Sequence, residues 1–282
     1  MARRTMRLLV AGLVVATAGC EAMGQSSPAV PVQPRPQVLI QQVVDTERAA
    51  NQSDHTNWVY LHESREPKTH VVEWVASTQQ GDLKRVLVKD EHKVAEAQQR
   101  EMVDHFLRDE RAQKKQLAEN RHDTQQVDDL LKLLPEAFVW TQTGATDNSA
   151  ILHFEPEPGF HPPTREARVF SAMAGDVEVD LQAHRIRSMR GHLMREVTFG
   201  GGLLGRLKEG SSFALEQAPV GGGVWELTGL HVHLQGNALL FKSVSLEEDE
   251  MRSRYAAEPG TLSLVDAVVV VMGQPEELKD RE

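Results

Sequence analysis

Apolar and polar residues alternate along many short segments of this chain, which is the pattern of β-strands with one buried face. In segment 176–181, Val177, Val179 and Leu181 lie on one side and three acidic residues lie on the other. Glycine, proline or charged turns separate these segments, as expected for antiparallel hairpins. The predicted strands are 58–61, 70–76, 83–88, 138–143, 150–154, 176–181, 185–194, 211–217, 224–235, 238–246 and 263–272.

A helical pattern interrupts the strands near the middle of the chain. Segment 90–121 has no proline or glycine, and oppositely charged residues recur four positions apart, as at Glu96 and Arg100. Such pairs favour a solvated helix. Segment 127–134 then carries four apolar residues at helical spacing, which predicts a buried stripe on a helix that ends at Pro135.

These elements predict an α+β fold, mainly antiparallel β, in which about ten strands form one curved sheet around a helical insert. The chain has 282 residues, of which 40% are apolar, so it has enough apolar side chains to build a core.

The first twenty residues have the layout of a secretory signal. Arg3, Arg4 and Arg7 precede the apolar run 8–16, and small residues lead to Cys20. The segment resembles a bacterial lipoprotein signal, in which Cys20 would be lipidated and become the mature N-terminus. An ordinary signal peptide with an incidental cysteine is the alternative. Cys20 is the only cysteine, so it has no intramolecular disulfide partner.

The residues after Cys20 are typical of a tether. Segment 21–37 is polar and contains four prolines, a composition that stays extended. By resemblance to the sorting rule of bacterial lipoproteins, the absence of Asp at position 21 favours the outer membrane. The expected location is therefore the periplasmic side of the outer membrane.

Charge excludes some partners. The formal net charge is −10, and cleavage of the leader would remove three arginines and leave a more acidic mature chain. An acidic surface argues against nucleic-acid binding and against docking on anionic headgroups by charge alone.

Several phrases of the chain resemble a family of bacterial exported proteins described as outer-membrane lipoprotein-sorting-like. They are Phe154-Glu155-Pro156 with Gly159-Phe160, segment 199–207, Gly223-Val224-Trp225 and segment 239–242. The resemblance covers roughly 58–241. It implies an unclosed antiparallel half-barrel whose concave face, lidded by helices, can hold acyl chains. The expected organisation is a lipoprotein signal peptide at 1–20, a Pro-rich tether and lead-in at 21–56, a half-barrel domain at 57–256, and a C-terminal strand and charged tail at 257–282.

Apolar residues on the predicted strands are candidates for the lining of such a cavity, and an ordinary side-chain-filled core is the alternative. The candidate cavity residues are Val72, Trp74, Phe154, Val177, Val179, Leu230 and Val232.

No catalytic or metal-binding pattern stands out. His231 and His233 share one strand face, but a zinc site needs three or four ligands. The serine-nucleophile motifs do not occur, and Gly200, Gly202 and Gly205 have the glycine spacing of a dinucleotide-binding loop but not its βαβ context. The sequence therefore predicts no enzymatic activity, no cofactor and no metal.

The first functional hypothesis is a membrane-anchored periplasmic lipoprotein that binds a hydrophobic ligand, which is a lipid, an acyl chain or a lipoprotein, without covalent chemistry. The alternative is a structural or interaction module of the cell envelope with a filled core and an envelope protein as partner.

Overall fold

The computed structural model describes residues 35–199, 205–238 and 242–276. Within these ranges, thirteen strands form a large antiparallel sheet that is not closed into a barrel, accompanied by four α-helices and one 3₁₀ helix. The predicted α+β class and the unclosed sheet are therefore confirmed, with more strands than the sequence indicated.

The helices are α1 (Pro36–Ser53), α2 (Glu96–Arg108), α3 (Glu110–Ala137) and α4 (Leu264–Gly273), and the 3₁₀ helix is Glu166–Ala172. The strands are β1 (Asn57–Glu66), β2 (Thr69–Thr78), β3 (Gly81–Lys89), β4 (His92–Lys93), β5 (Phe138–Ala145), β6 (Ser149–Pro156), β7 (Met173–Asp180), β8 (Arg185–Leu193), β9 (Val197–Phe199), β10 (Gly205–Leu207), β11 (Ser212–Gly221), β12 (Val224–Ala238) and β13 (Lys242–Glu258).

The chain divides into two compact units. Among the described residues, unit 1 covers 35–54 and 126–247, and unit 2 covers 55–125 and 248–276. Within unit 1 the strand order is β12-β11-β8-β7-β6-β5, with β10 beside β12 and β9 beside β10. Within unit 2 the order is β4-β3-β2-β1, followed by the part of β13 that starts at Glu248. The range 57–256, predicted as one domain, therefore includes residues of both units, and both of its ends belong to unit 2.

The core of unit 1 lies between its strands and two helices. Helix α1 buries Leu39, Ile40, Val43 and Val44, which recur at helical spacing. This helix lies within 21–56, for which the sequence predicts a tether and lead-in, although Pro at the first turn of a helix is a common start.

The predicted apolar stripe of α3 is confirmed. Val127, Leu131 and Leu134 are buried in the core of unit 1. Pro135 does not end the helix as predicted, because α3 continues to Ala137 with the proline inside it.

A buried ion pair fastens α1 to the sheet of unit 1. Glu47 is fully buried, and it accepts hydrogen bonds from Arg185 Nη2 and from the backbone N–H of Ile186, each at 2.9 Å. Burial raises the pKa of Glu47 above its ordinary value, while Arg185 opposes that rise.

The core of unit 2 lies between β1, β2 and β3 and the helices α2 and α4. Val59, Trp74 and Leu83 from the strands meet Val103 of α2 and Val271 of α4. The strand β1 continues to Glu66, beyond the end of the predicted strand at 58–61.

The predicted C-terminal strand at 263–272 is wrong, since helix α4 occupies this segment. Ser263 caps the helix by accepting a hydrogen bond from the backbone N–H of Asp266 at 3.1 Å. The four consecutive valines favour a strand by propensity, but packing of Leu264, Ala267 and Val271 at helical spacing outweighs that preference.

Arg85 of β3 holds the end of α4 in place. This buried guanidinium donates from Nη1 to the carbonyls of Val271, Met272 and Gln274 at 2.7–3.1 Å, and from Nε to Gln99 of α2 at 2.7 Å. It therefore satisfies carbonyl groups that a helix C-terminus leaves without partners.

No helix within the three described ranges is long and apolar enough to span a membrane.

Candidate functional site

The seven candidate cavity residues lie in two different cores. Val72 and Trp74 belong to the core of unit 2. The other five belong to the core of unit 1, and they are Phe154, Val177, Val179, Leu230 and Val232. The structure therefore does not place all seven around one centre.

All seven side chains are almost completely inaccessible. Phe154 and Val179 have 0% of their surface exposed, and the largest value among the seven is 5% at Leu230. A cavity wide enough for an acyl chain leaves space beside the side chains that line it. Part of the surface of those side chains would then be accessible to a molecule the size of water, even if the cavity were closed to solvent. Burial of this degree is what a side-chain-filled core produces.

Trp74 has a further structural contact. Its indole Nε1–H donates to the carbonyl of Pro275 at 2.9 Å. This bond satisfies the polar edge of a buried tryptophan and ties β2 to the segment that follows α4.

Cys20, the predicted lipidation site, lies outside the described residues. Lipidation of this cysteine stays a prediction.

The histidine pair on β12 does not form a metal site as placed. His231 is exposed, His233 is half-buried, and Nε2 of His233 lies 3.0 Å from Nε2 of Gln235. Among the residues that the structure describes, no group of three or more His, Cys, Asp and Glu side chains is arranged to hold a metal ion.

A surface cavity of about 340 Å³ lies along α2, lined by Glu101, Met102 and His105. All three lining residues are exposed and belong to one helix face, so they do not enclose a ligand.

A cluster of charged side chains crosses four strands of unit 2. The central member, His62 of β1, lies opposite Glu73 of β2 on one side and Arg252 of β13 on the other. Glu250 of β13 and Lys84 of β3 complete the group, which we call the His62 cluster. No spacing in the sequence predicts this cluster, although the glutamate within the apolar run of β2 indicates that a buried partner is needed.

The imidazole of His62 lies between two carboxylates. Its Nδ1 is 3.0 Å from Oε1 of Glu73, and its Nε2 is 3.6 Å from Oε2 of Glu250. The side chains of the three residues are 13%, 7% and 15% exposed, respectively. Lys84 also contacts Glu73, and Arg252 Nη2 lies 3.3 Å from Glu250 Oε2.

These contacts change the acidity of the cluster. Burial raises the pKa of Glu250, but the contact with His62 and the charge of Arg252 outweigh burial and lower that pKa to about 2. The pKa of Glu73 is also lowered, because His62 and Lys84 outweigh burial. Burial lowers the pKa of His62, whereas its contacts with Glu250 and Glu73 raise it, and the net direction is upward.

Aromatic side chains lie next to this cluster. The rings of Tyr60 and Tyr255 stack with centroids 5.1 Å apart, and the guanidinium of Arg252 lies 5.7 Å from the centroid of the Tyr60 ring. Stacking and a cation–π contact restrict the Arg252 side chain beside Glu250.

No protein-family model and no curated protein matches this chain.

Proposed function

We propose that this chain is an exported lipoprotein of the bacterial envelope, anchored through Cys20, whose folded region is a filled-core interaction module. The near-complete burial of all seven candidate cavity residues supports this proposal best. The module would bind an envelope protein through its surface, and no covalent chemistry is part of the proposal.

The leader supplies the location in this proposal. Three arginines, an apolar run and small residues before Cys20 support export and lipidation, and three prolines within 21–34 support a spacer between the anchor and the folded units. The mature N-terminus with several acyl chains would give stable attachment, which one chain does not.

Cys20→Ala is expected to abolish lipid attachment, because the acyl acceptor is removed. The test is to express the full chain in a Gram-negative host with a radiolabelled or alkyne-tagged fatty acid, and to follow the label and the membrane fraction. The wild-type chain should carry label and sediment with outer membranes, whereas the variant should carry none. Equal labelling of both chains, or no labelling of either, would contradict the anchor.

A second candidate is favoured by the fold class. An unclosed antiparallel sheet with helices packed against it is the architecture expected of a lipoprotein carrier, so binding of a lipid, an acyl chain or a lipoprotein is the competing function.

Native mass spectrometry separates the two functions. The Cys20→Ala chain, which has no covalent lipid, would be extracted from cells under native conditions and measured before and after incubation with vesicles of phosphatidylethanolamine and phosphatidylglycerol. We expect the empty mass in both cases, because the predicted lining positions present almost no surface for a ligand to bury. A bound lipid at a 1:1 ratio would overturn the filled-core module and support the ligand-binding function.

A further inference from the structure

His62 occupies a position where one proton changes the contacts of three strands. Its strand β1 pairs with β2 on one side and with β13 on the other. Each ring nitrogen faces a carboxylate from a different neighbouring strand, Glu73 through Nδ1 and Glu250 through Nε2.

The chemistry of imidazole makes this arrangement sensitive to protonation. A neutral imidazole has one N–H and one nitrogen lone pair, so only one of the two carboxylates can receive a hydrogen bond. The other carboxylate then faces a lone pair in a poorly solvated position. The imidazolium has two N–H groups, so it can donate a hydrogen bond to Glu73 and also present a second N–H, with its positive charge, to Glu250 at 3.6 Å.

The other charged groups of the His62 cluster do not replace the missing proton. Lys84 of β3 contacts Glu73, and Arg252 of β13 contacts Glu250. Each cation therefore pairs with a carboxylate, and neither supplies a proton to a ring nitrogen of His62. Both cations also repel a charged His62, but the two carboxylate contacts outweigh this repulsion.

We propose that His62 is a pH-responsive latch, which takes up a second ring proton from solvent in mildly acidic surroundings and thereby locks β1 to β2 and to β13. At higher pH the proton is lost and these strand pairs open more readily. The latch does not depend on the proposed function and can fail or hold independently of it.

The direction of the effect follows from linkage between protonation and folding. The pKa of His62 is higher in the folded chain than its ordinary 6.5, so its stabilisation is complete below about pH 6.5 and is lost as the pH rises through the folded pKa. Glu250 has a folded pKa of about 2, against 4.5 ordinarily, so its stabilisation is present above about 4.5 and is lost as the pH falls towards 2. The cluster is therefore most stabilising in mildly acidic solution, between about pH 4.5 and about pH 6.5.

Hydrogen exchange of the full-length chain tests the latch. Protection factors, which correct for the intrinsic pH dependence of exchange, would be measured by mass spectrometry for peptides from β1, β2 and 248–258. We expect them to be at least about threefold higher near pH 6 than near pH 8. His62→Gln should abolish that difference, whereas His122→Gln, which changes an exposed histidine on α3, should retain it.

Retention of the full pH difference in His62→Gln, or absence of that difference in the wild-type chain, would overturn the proposal.

If His62→Gln does not fold, histidine NMR titration of the folded wild-type chain tests the proposal instead. The His62 signal is the one whose midpoint falls in both Glu250→Gln and Glu73→Gln, since only His62 contacts both carboxylates. A wild-type midpoint above 6.5 supports the latch; a midpoint at or below 6.5, or no signal that responds to both variants, refutes it.

Discussion

Val179→Asp is expected to lower the free energy of unfolding of unit 1 by at least about 3 kcal/mol, because it places a carboxylate among apolar side chains without a partner. Val179 lies on β7 between Ala150 of β6 and Ile186 of β8, and all three side chains are at most 1% exposed. Urea unfolding followed by circular dichroism would measure the loss.

A matched control distinguishes burial of the charge from disturbance of the sheet. Val139 of β5 is also a strand valine but is 44% exposed, so Val139→Asp should cost less than about 1 kcal/mol despite the nearby Glu155. A Val179→Asp chain with wild-type stability would mean that a solvated cavity accepts the carboxylate. That outcome would favour the hydrophobic-ligand function over the filled-core module.

Glu47→Gln is expected to destabilise unit 1 by about 2 to 4 kcal/mol, because it leaves the buried charge of Arg185 without a counter-ion. The amide oxygen can still accept the hydrogen bond from the backbone N–H of Ile186, so the loss reports mainly on charge. Chemical denaturation at neutral pH measures it.

A second variant separates the charge from the packing around it. Glu47→Gln combined with Arg185→Met removes both charges and should recover about half of the loss or more, since an ion pair buried this deeply contributes little beyond compensating its own desolvation. Asp45→Asn, on the exposed side of α1, should change stability by less than about 0.5 kcal/mol. A double variant no more stable than Glu47→Gln would contradict this account and assign the loss to packing.

Local periodicity accounts for most of the elements that could be predicted. The alternation at 176–179 and the stripe at Val127, Leu131 and Leu134 depend on neighbours within two turns of helix or within one strand, and both were confirmed. The alternation predicted for the rest of 176–181 is wrong, because β7 ends at Asp180, which is buried, and Leu181 lies outside the strand. Helix α1 carries an equally regular apolar pattern in Leu39, Ile40, Val43 and Val44. It was overlooked because the preceding prolines suggested a longer tether.

Segment 263–272 shows where propensity misleads. Its valines favour a strand, but the contacts that decide the matter lie far away in the chain, where Arg85 binds the carbonyls at the end of α4 and the core of unit 2 receives Ala267 and Val271.

The sequence by itself determined the α+β class, the antiparallel alternation, the helical insert and the expectation of a lipidated leader, because each depends on a pattern within a short segment. Only the tertiary structure decided the division into two units, the burial of the seven candidate residues in separate cores, and the His62 cluster. The His62 cluster depends on β13 pairing with β1, which brings Arg252 opposite His62 across about 190 positions of the chain. Strand register over such a separation is set by the packing of the whole sheet, and no local spacing encodes it.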